Sequence, residues 1–125
     1  MTMTLTEIAE ALVAGCREGR ETENLEKLYA RDAVSVEASD FSGMGREAQG
    51  LDAIRGKHAW FEGAMEILDG TISDPFPHGE DRFAVIFEMT GKDRKTGEVS
   101  QMKEVGIYHV ADGKIVREEF FYAAG

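Results

Sequence analysis

Five side chains in this 125-residue sequence have the type and setting for proton transfer or ligand binding: Glu37, His58, His109, Glu118 and Tyr122. Glu37 follows Val34 and Val36, so on an extended backbone its carboxyl lies opposite those two valines. If that side is enclosed, burial raises the carboxyl pKa and suits Glu37 to act as a general acid or base. At a wet strand end it is an ordinary solvated glutamate. His58 lies one helical turn after Ile54. It either reaches a ligand and moves a proton near neutral pH, or bonds a neighbouring carbonyl inside the core. His109 and Glu118 are diagonal neighbours in the register derived below. They form either an acid/base dyad or, so near a turn, a solvated pair. Tyr122 offers a hydroxyl at the end of an apolar face, the kind of group that holds a ligand.

Other constellations are excluded by spacing. Glu118 and Glu119 are adjacent, so on a strand they point to opposite faces and cannot form a glycosidase carboxylate pair. The three histidines are scattered without a zinc-binding spacing, and Cys16 is the only cysteine. No glycine-rich phosphate loop is present. The expectation is therefore chemistry without a metal or cofactor. With 24 acidic and 14 basic residues the net charge is −10, which argues against nucleic acid and anionic membrane surfaces as partners. The first residues lack a signal-peptide pattern and no apolar run is long enough to span a bilayer, which points to the cytoplasm. A length of 125 residues suits one domain, 1–125.

The elements that must position these groups follow from periodicity. Leu5, Ile8, Leu12 and Cys16 recur at helical spacing after a Thr4-x-x-Glu7 capping box. Leu25, Leu28 and Tyr29 mark a second helix ending near Asp32, and residues 33–37 alternate like a strand. Residues 38–50 form a polar loop that strands Phe41 and Met44. Residues 51–65 are helical, with Ile54, His58 and Phe61 on one stripe; the adjacent Trp60 is left for a rim or a subunit contact. Strands are expected at 66–73, 82–91, 100–110 and 114–123, and the proline-rich segment 74–81, with His78, reads as a turn. Helices first and antiparallel strands after make the class α+β.

Asp112-Gly113 fixes the last hairpin as a two-residue turn. Ala111 then faces Lys114, so that His109 opposes Val116, Ile107 opposes Glu118, Val105 opposes Phe120 and Lys103 opposes Tyr122. A plain hairpin at 92–97 adds Phe83, Val85 and Phe87 to the same face. This is the expected inner face: apolar, but ending in His109, Glu118 and Tyr122. The other face, with Tyr108, Arg117, Glu119 and Phe121, suits a homodimer contact.

Leu28-Tyr-Ala-Arg-Asp-Ala-Val34, Gly50-Leu-Asp-Ala-Ile54 and Val110-Ala-Asp-Gly-Lys-Ile115 resemble, in that order, the nuclear transport factor 2-like superfamily. The closest flavour is its SnoaL-like group, related to polyketide cyclases and ketosteroid isomerases. The resemblance implies a cone: a strongly curved mixed sheet wrapped around a pocket, closed by the N-terminal helices and usually dimeric. It also implies that Glu37 occupies the place of the isomerase general base, and that His58 matches a pocket-lining aromatic position. The isomerase oxyanion hole has no counterpart at the aligned positions. Helix one carries Gly15 and Cys16 where a tyrosine is needed, and the penultimate-strand acid aligns with Val105. Steroid isomerisation is therefore rejected. Cyclases of the group use a pocket acid, for which Glu37 and Glu118 are the candidates.

The resulting expectation is a cofactor-free isomerase, cyclase or lyase acting on a hydrophobic, carbonyl-bearing metabolite, or else a non-catalytic module that binds one. Glu37 would carry the proton, with His58 and Tyr122 orienting the substrate. Phe61, Phe83, Val85, Phe87, Val105, Ile107 and Phe120 would supply the apolar wall, beside Glu118 and His109.

Overall fold

Helix α1, Leu5–Arg17, starts where the capping box predicts: Thr4 Oγ1 accepts from the Glu7 amide at 3.2 Å and Glu7 accepts from the Thr4 amide at 2.9 Å. The computed structural model describes residues 2–123. After α1 come α2 (Glu21–Leu28), β1 (Tyr29–Val36), β2 (Glu47–Gln49) and α3 (Leu51–Ala64). Then follow β3 (Met65–Ile72), β4 (Phe76–His78), β5 (Arg82–Asp93), β6 (Val99–Ala111) and β7 (Lys114–Phe121).

The strands form one curved, unclosed sheet in the order β2-β1-β7-β6-β5-β3, with β4 pairing β5 beyond the end of β3. Only β1 and β7 run parallel; the other pairs are antiparallel, which makes the sheet mixed. The helices cover one face. Ile8 and Leu12 of α1, Leu25 of α2 and Ile54 of α3 are fully buried against Phe83, Val85 and Ile115. Helices α1 and α2 approach closely because Gly15 has no side chain: a Cβ there would lie 2.2 Å from Asn24 Oδ1. The buried Asn24 amide instead donates to the Leu12 carbonyl at 3.1 Å. Gly106 of β6 clears space in the same way for an aromatic cluster. Phe83 stacks on Tyr108 at 4.9 Å, and Tyr108 meets Phe120 edge-on at 6.2 Å.

The α+β class and the curved mixed sheet agree with expectation, and the elements differ most around Tyr29 and in the segments read as a loop and a turn. Helix two stops at Leu28, and Tyr29 already belongs to β1, where it pairs with Ile115. Burying that aromatic ring on the sheet outweighs its helical spacing. Two short strands lie inside the segments read as a loop and a turn: β2 pairs with β1, and β4 pairs with β5 at the sheet edge, where Pro77 is tolerated.

The register is the main correction. The Asp112-Gly113 turn forms as expected, with both residues at positive φ (51° and 74°) and Ala111 opposite Lys114. Beyond Val110 the pairing slips by one, because Val116 is an extra residue bulged out of β7. His109 therefore opposes Arg117, Ile107 opposes Glu119 and Val105 opposes Phe121. On the other side, the β5–β6 loop closes on Asp93 and Glu98, so Phe83 opposes Tyr108 and Phe87 opposes Glu104. A slip of one residue exchanges the two faces of a strand. Glu104, Gly106 and Tyr108 point inward with Glu118 and Phe120, while Val105, Ile107 and His109 turn to the outer face.

Candidate functional site

The site is built around the inner side of β1 and β7. Parallel pairing sets Ser35 beside Glu118, and both are buried. Glu118 Oε2 accepts from Ser35 Oγ at 2.7 Å, and its Oε1 accepts from the Tyr29 hydroxyl. Burial, then the adjacent Glu118, pushes the Tyr29 pKa well above the usual tyrosine range, so Tyr29 keeps its proton and donates. Burying a carboxyl this deeply is tolerated only when it is hydrogen-bonded, and here each oxygen accepts one hydroxyl.

Lys57 enters from α3. Its ammonium donates to Ser35 Oγ and to Glu37 Oε2 at 2.9 Å, and stands 4.0 Å from Glu118 Oε2 and 5.1 Å from the centre of the Phe120 ring. Lys57 and Glu37 are both largely buried, with 13% and 11% of their side chains exposed, so water screens this pair little. An ammonium has three protons, and only two take a hydrogen-bond acceptor among the described residues. The other oxygen of Glu37 accepts from the Tyr122 hydroxyl at 3.3 Å, and that hydroxyl accepts from the Ser39 amide at 3.4 Å. The Glu37 backbone is clamped by Arg46, whose carbonyl accepts from the Glu37 amide at 2.8 Å.

Glu104 completes the group. It faces inward from β6 opposite Phe87, and no hydrogen bond to a described residue stabilises its charge. Burial, reinforced by Glu37 and opposed by Lys57, raises its pKa to about 7. Near neutral pH it exists as acid and as base. His58 also reaches this region; burial lowers its pKa, so its imidazole is neutral at pH 7. Burial pushes the Cys16 thiol up to about 12, which leaves it unreactive.

All of these groups except Ser35 and Arg46 line an open cleft of about 1650 Å³. Of the residues proposed from sequence, Glu37, His58 and Phe61 line it, as do Phe87, Glu118, Phe120 and Tyr122. Phe83 and Val85 do not. They share the inner face but are sealed in the core, 1% and 0% exposed. Val105, Ile107 and His109 are also outside it, for the register reason given above. His109 Nε2 lies 3.8 Å from Glu119, not near Glu118, so the His109–Glu118 dyad does not form. Trp60 sits at the rim, where it packs against Phe41 at 5.3 Å.

Tyr29, Ser35, Lys57 and Glu104 were not found from sequence. Ser35 carries a weak signal, a hydroxyl between two valines on the inner parity of β1. Lys57 carries another: it lies three residues after Ile54, as His58 lies four, so both flank the buried stripe of α3. Glu104 was hidden by the one-residue register slip.

Residues 3–122 match the SnoaL-like domain. The chain belongs to the SnoaL-like family. It is 35% identical to a proposed SnoaL-like polyketide cyclase from Mesorhizobium loti, over 96% of this chain and all (100%) of that one, with a TM-score of 0.88. A protein of unknown function with a cystatin-like fold from Xanthomonas campestris shares the architecture at 19% identity, 98% and 92% coverage and a TM-score of 0.76. TerC, co-crystallised with polyporic acid, shares it at 22% identity, 94% and 89% coverage and a TM-score of 0.73. Among curated proteins none matches. Proteins similar to this chain include that proposed polyketide cyclase and a proposed isomerase from Bacillus subtilis. Within the family frame, one premise from the sequence needs correcting. The penultimate strand of this SnoaL-like protein does carry an inward acid, Glu104, one residue before the aligned Val105. Helix α1 still has no tyrosine. None of the described helices is long and apolar enough to cross a membrane.

Proposed function

We propose that this SnoaL-like protein binds a hydrophobic, carbonyl-bearing metabolite in the cleft and rearranges it by cofactor-free acid/base chemistry, as an isomerase, cyclase or lyase. Glu104 carries this reading: an inward carboxyl without a hydrogen-bonding neighbour, its pKa raised to about 7, beside the Glu37–Lys57 ion pair. Ionised Glu104 takes a proton from the carbon next to the carbonyl, and the electron pair moves onto the carbonyl oxygen. The uncommitted proton of Lys57 stabilises the enolate oxygen, in a setting where burial strengthens the interaction. Glu104 then returns its proton, either to a different carbon or to the alkoxide formed when the enolate carbon closes on a second carbonyl. Glu37 fixes Lys57 and helps to raise Glu104. Tyr122 and His58 orient the substrate, with Phe61, Phe87 and Phe120 as apolar wall. Glu118 serves as an anchor, because both of its oxygens are already occupied.

The test is Glu104→Gln, assayed on a panel of enolisable 1,3-diketones by exchange of the α-proton for deuterium in D2O. We expect the exchange rate to fall about 100-fold or more, with binding retained. An unchanged rate removes Glu104 from the mechanism. A second reading draws support from Glu37, whose two oxygens are held by Lys57 and Tyr122. In that reading the protein is a non-catalytic module that binds a hydrophobic ligand, and it would bind the diketones without accelerating exchange.

We also propose a homodimer through the outer sheet face. Val105 and Ile107 lie there beside Phe121, which is 53% exposed. Phe121→Arg should convert a dimer to a monomer in analytical ultracentrifugation; an unaltered dimer excludes this face.

A further inference from the structure

We infer that the cleft has a second compartment, a methionine-lined arm leading away from Glu104, which receives an elongated apolar chain. Only the identity of the chain's carbonyl head group rests on the reading under Proposed function. The arm follows from the inner-face register of three strands. Phe87 and Glu104 form one row, Met89 and Met102 the next, and Gly91 begins a third. Strand β3 sets Gly70 beside Met89 and Ile67 beside Gly91. Successive rows on one face are separated by about 7 Å, so the arm runs for about 13 Å, the reach of a chain of roughly ten carbons.

Gly91 is what lets the methionine floor of the far row pack down onto β5. A Cβ there would lie 2.6 Å from Met102 Cε and 3.0 Å from Met65 Cε, so two thioether methyls converge on the place a side chain would occupy. Met65, Met89 and Met102 are only half-buried and Ile67 is 45% exposed, which leaves apolar surface without protein cover. Methionine is flexible and polarisable, and suits a floor that moulds itself to ligands of varied shape. The arm is continuous with the acid/base end in one cleft, whose volume of about 1650 Å³ exceeds the range common for small-ligand sites, about 300–1000 Å³. It ends at a charged rim of Asp93, Arg94 and Lys95, with Arg94 tied to the Glu62 carbonyl at 2.9 Å. That rim suits a mouth open to water better than the centre of a protein contact, where charges are depleted.

The test measures dissociation constants, by calorimetry, for 3-alkyl-2,4-pentanediones whose chains grow from one to twelve carbons. Affinity should rise about threefold to fourfold per added methylene and level off near ten carbons. The double variant Met89→Gln/Met102→Gln should bind the one-carbon probe as before while its gain per methylene falls below about twofold. Gly91→Val should bring the plateau forward by several carbons. The proposal is overturned if the one-carbon probe binds and lengthening it gains nothing, or if the variants keep the full slope. Loss of a dimer in the methionine double variant also overturns it, because the floor would then be a subunit contact. 1-Decanol separates this idea from the proposed reaction. Decanol binding that the double variant loses supports the arm even where no diketone binds or exchanges.

Discussion

Glu118 and Glu104 project from neighbouring strands into the same half of the cone, in contrasting surroundings. Glu118 accepts from Tyr29 and Ser35 and has Lys57 4.0 Å away, and no buried side-chain nitrogen or oxygen among the described residues lacks a hydrogen-bond partner. Glu104 faces Phe87 with no such donors. Two carboxyls removed from water to different degrees therefore have two outcomes. A carboxylate that is hydrogen-bonded becomes part of the scaffold, and one that is not becomes chemically poised. The contrast also separates β1–β7, which fixes Lys57 through Ser35, from the longer β5–β6 ladder, which is free to meet a ligand.

The largest effect should come from the scaffold side. Glu118→Leu removes the acceptor of two buried hydroxyls and a counter-charge of Lys57. A loss of about 3–5 kcal/mol is expected in urea denaturation. A loss below about 1 kcal/mol would mean that the network rearranges freely and that the division between anchor and acid is wrong.

Glu104→Gln should act in the opposite sense on stability. The folded-state pKa is raised, first by burial, to about 7. The folded protein therefore binds this proton more tightly than the unfolded chain. That contribution to stability is complete below about pH 4.5 and is lost as the pH rises through about 7. The variant should thus equal the wild type near pH 4 and exceed it at pH 8, by an amount on the order of 1–3 kcal/mol. Thermal melts at the two pH values measure this, and a pH-independent difference would contradict it. The smallest effect belongs to the outer face. His109→Ala touches neither carboxyl and should change stability by less than about 0.5 kcal/mol, with diketone exchange unaltered. A large change in exchange would return His109 to the site.

Much of this architecture could be read from local chemistry. The Thr4–Glu7 box set the start of α1, and Asp112-Gly113 set the final turn. Val34 and Val36 set Glu37 on the face opposite their own, but which face is enclosed was open in the sequence; the pairing of the two valines with Arg117 and Glu119 decides it. What escaped depended on tertiary geometry. Val116 carries no mark of a bulge: it is β-branched, between Ile115 and Arg117, in a sequence that favours an unbroken strand. That extra residue, together with a β5–β6 loop that closes on Asp93 and Glu98, exchanged Val105 for Glu104 at the cleft, and with it a wall residue for an acid. Lys57 escaped because a helical lysine is normally solvated; its burial makes sense only once β1 places Ser35 and Glu37 within reach.

The central claim is that an unanchored carboxyl on β6 is poised near neutrality by its surroundings. The most direct test follows the side-chain carboxyl carbon of Glu104 by NMR across a pH titration, assigned by its loss in Glu104→Gln. The account predicts a midpoint near 7. A midpoint in the ordinary glutamate range, around 4.3, would contradict it.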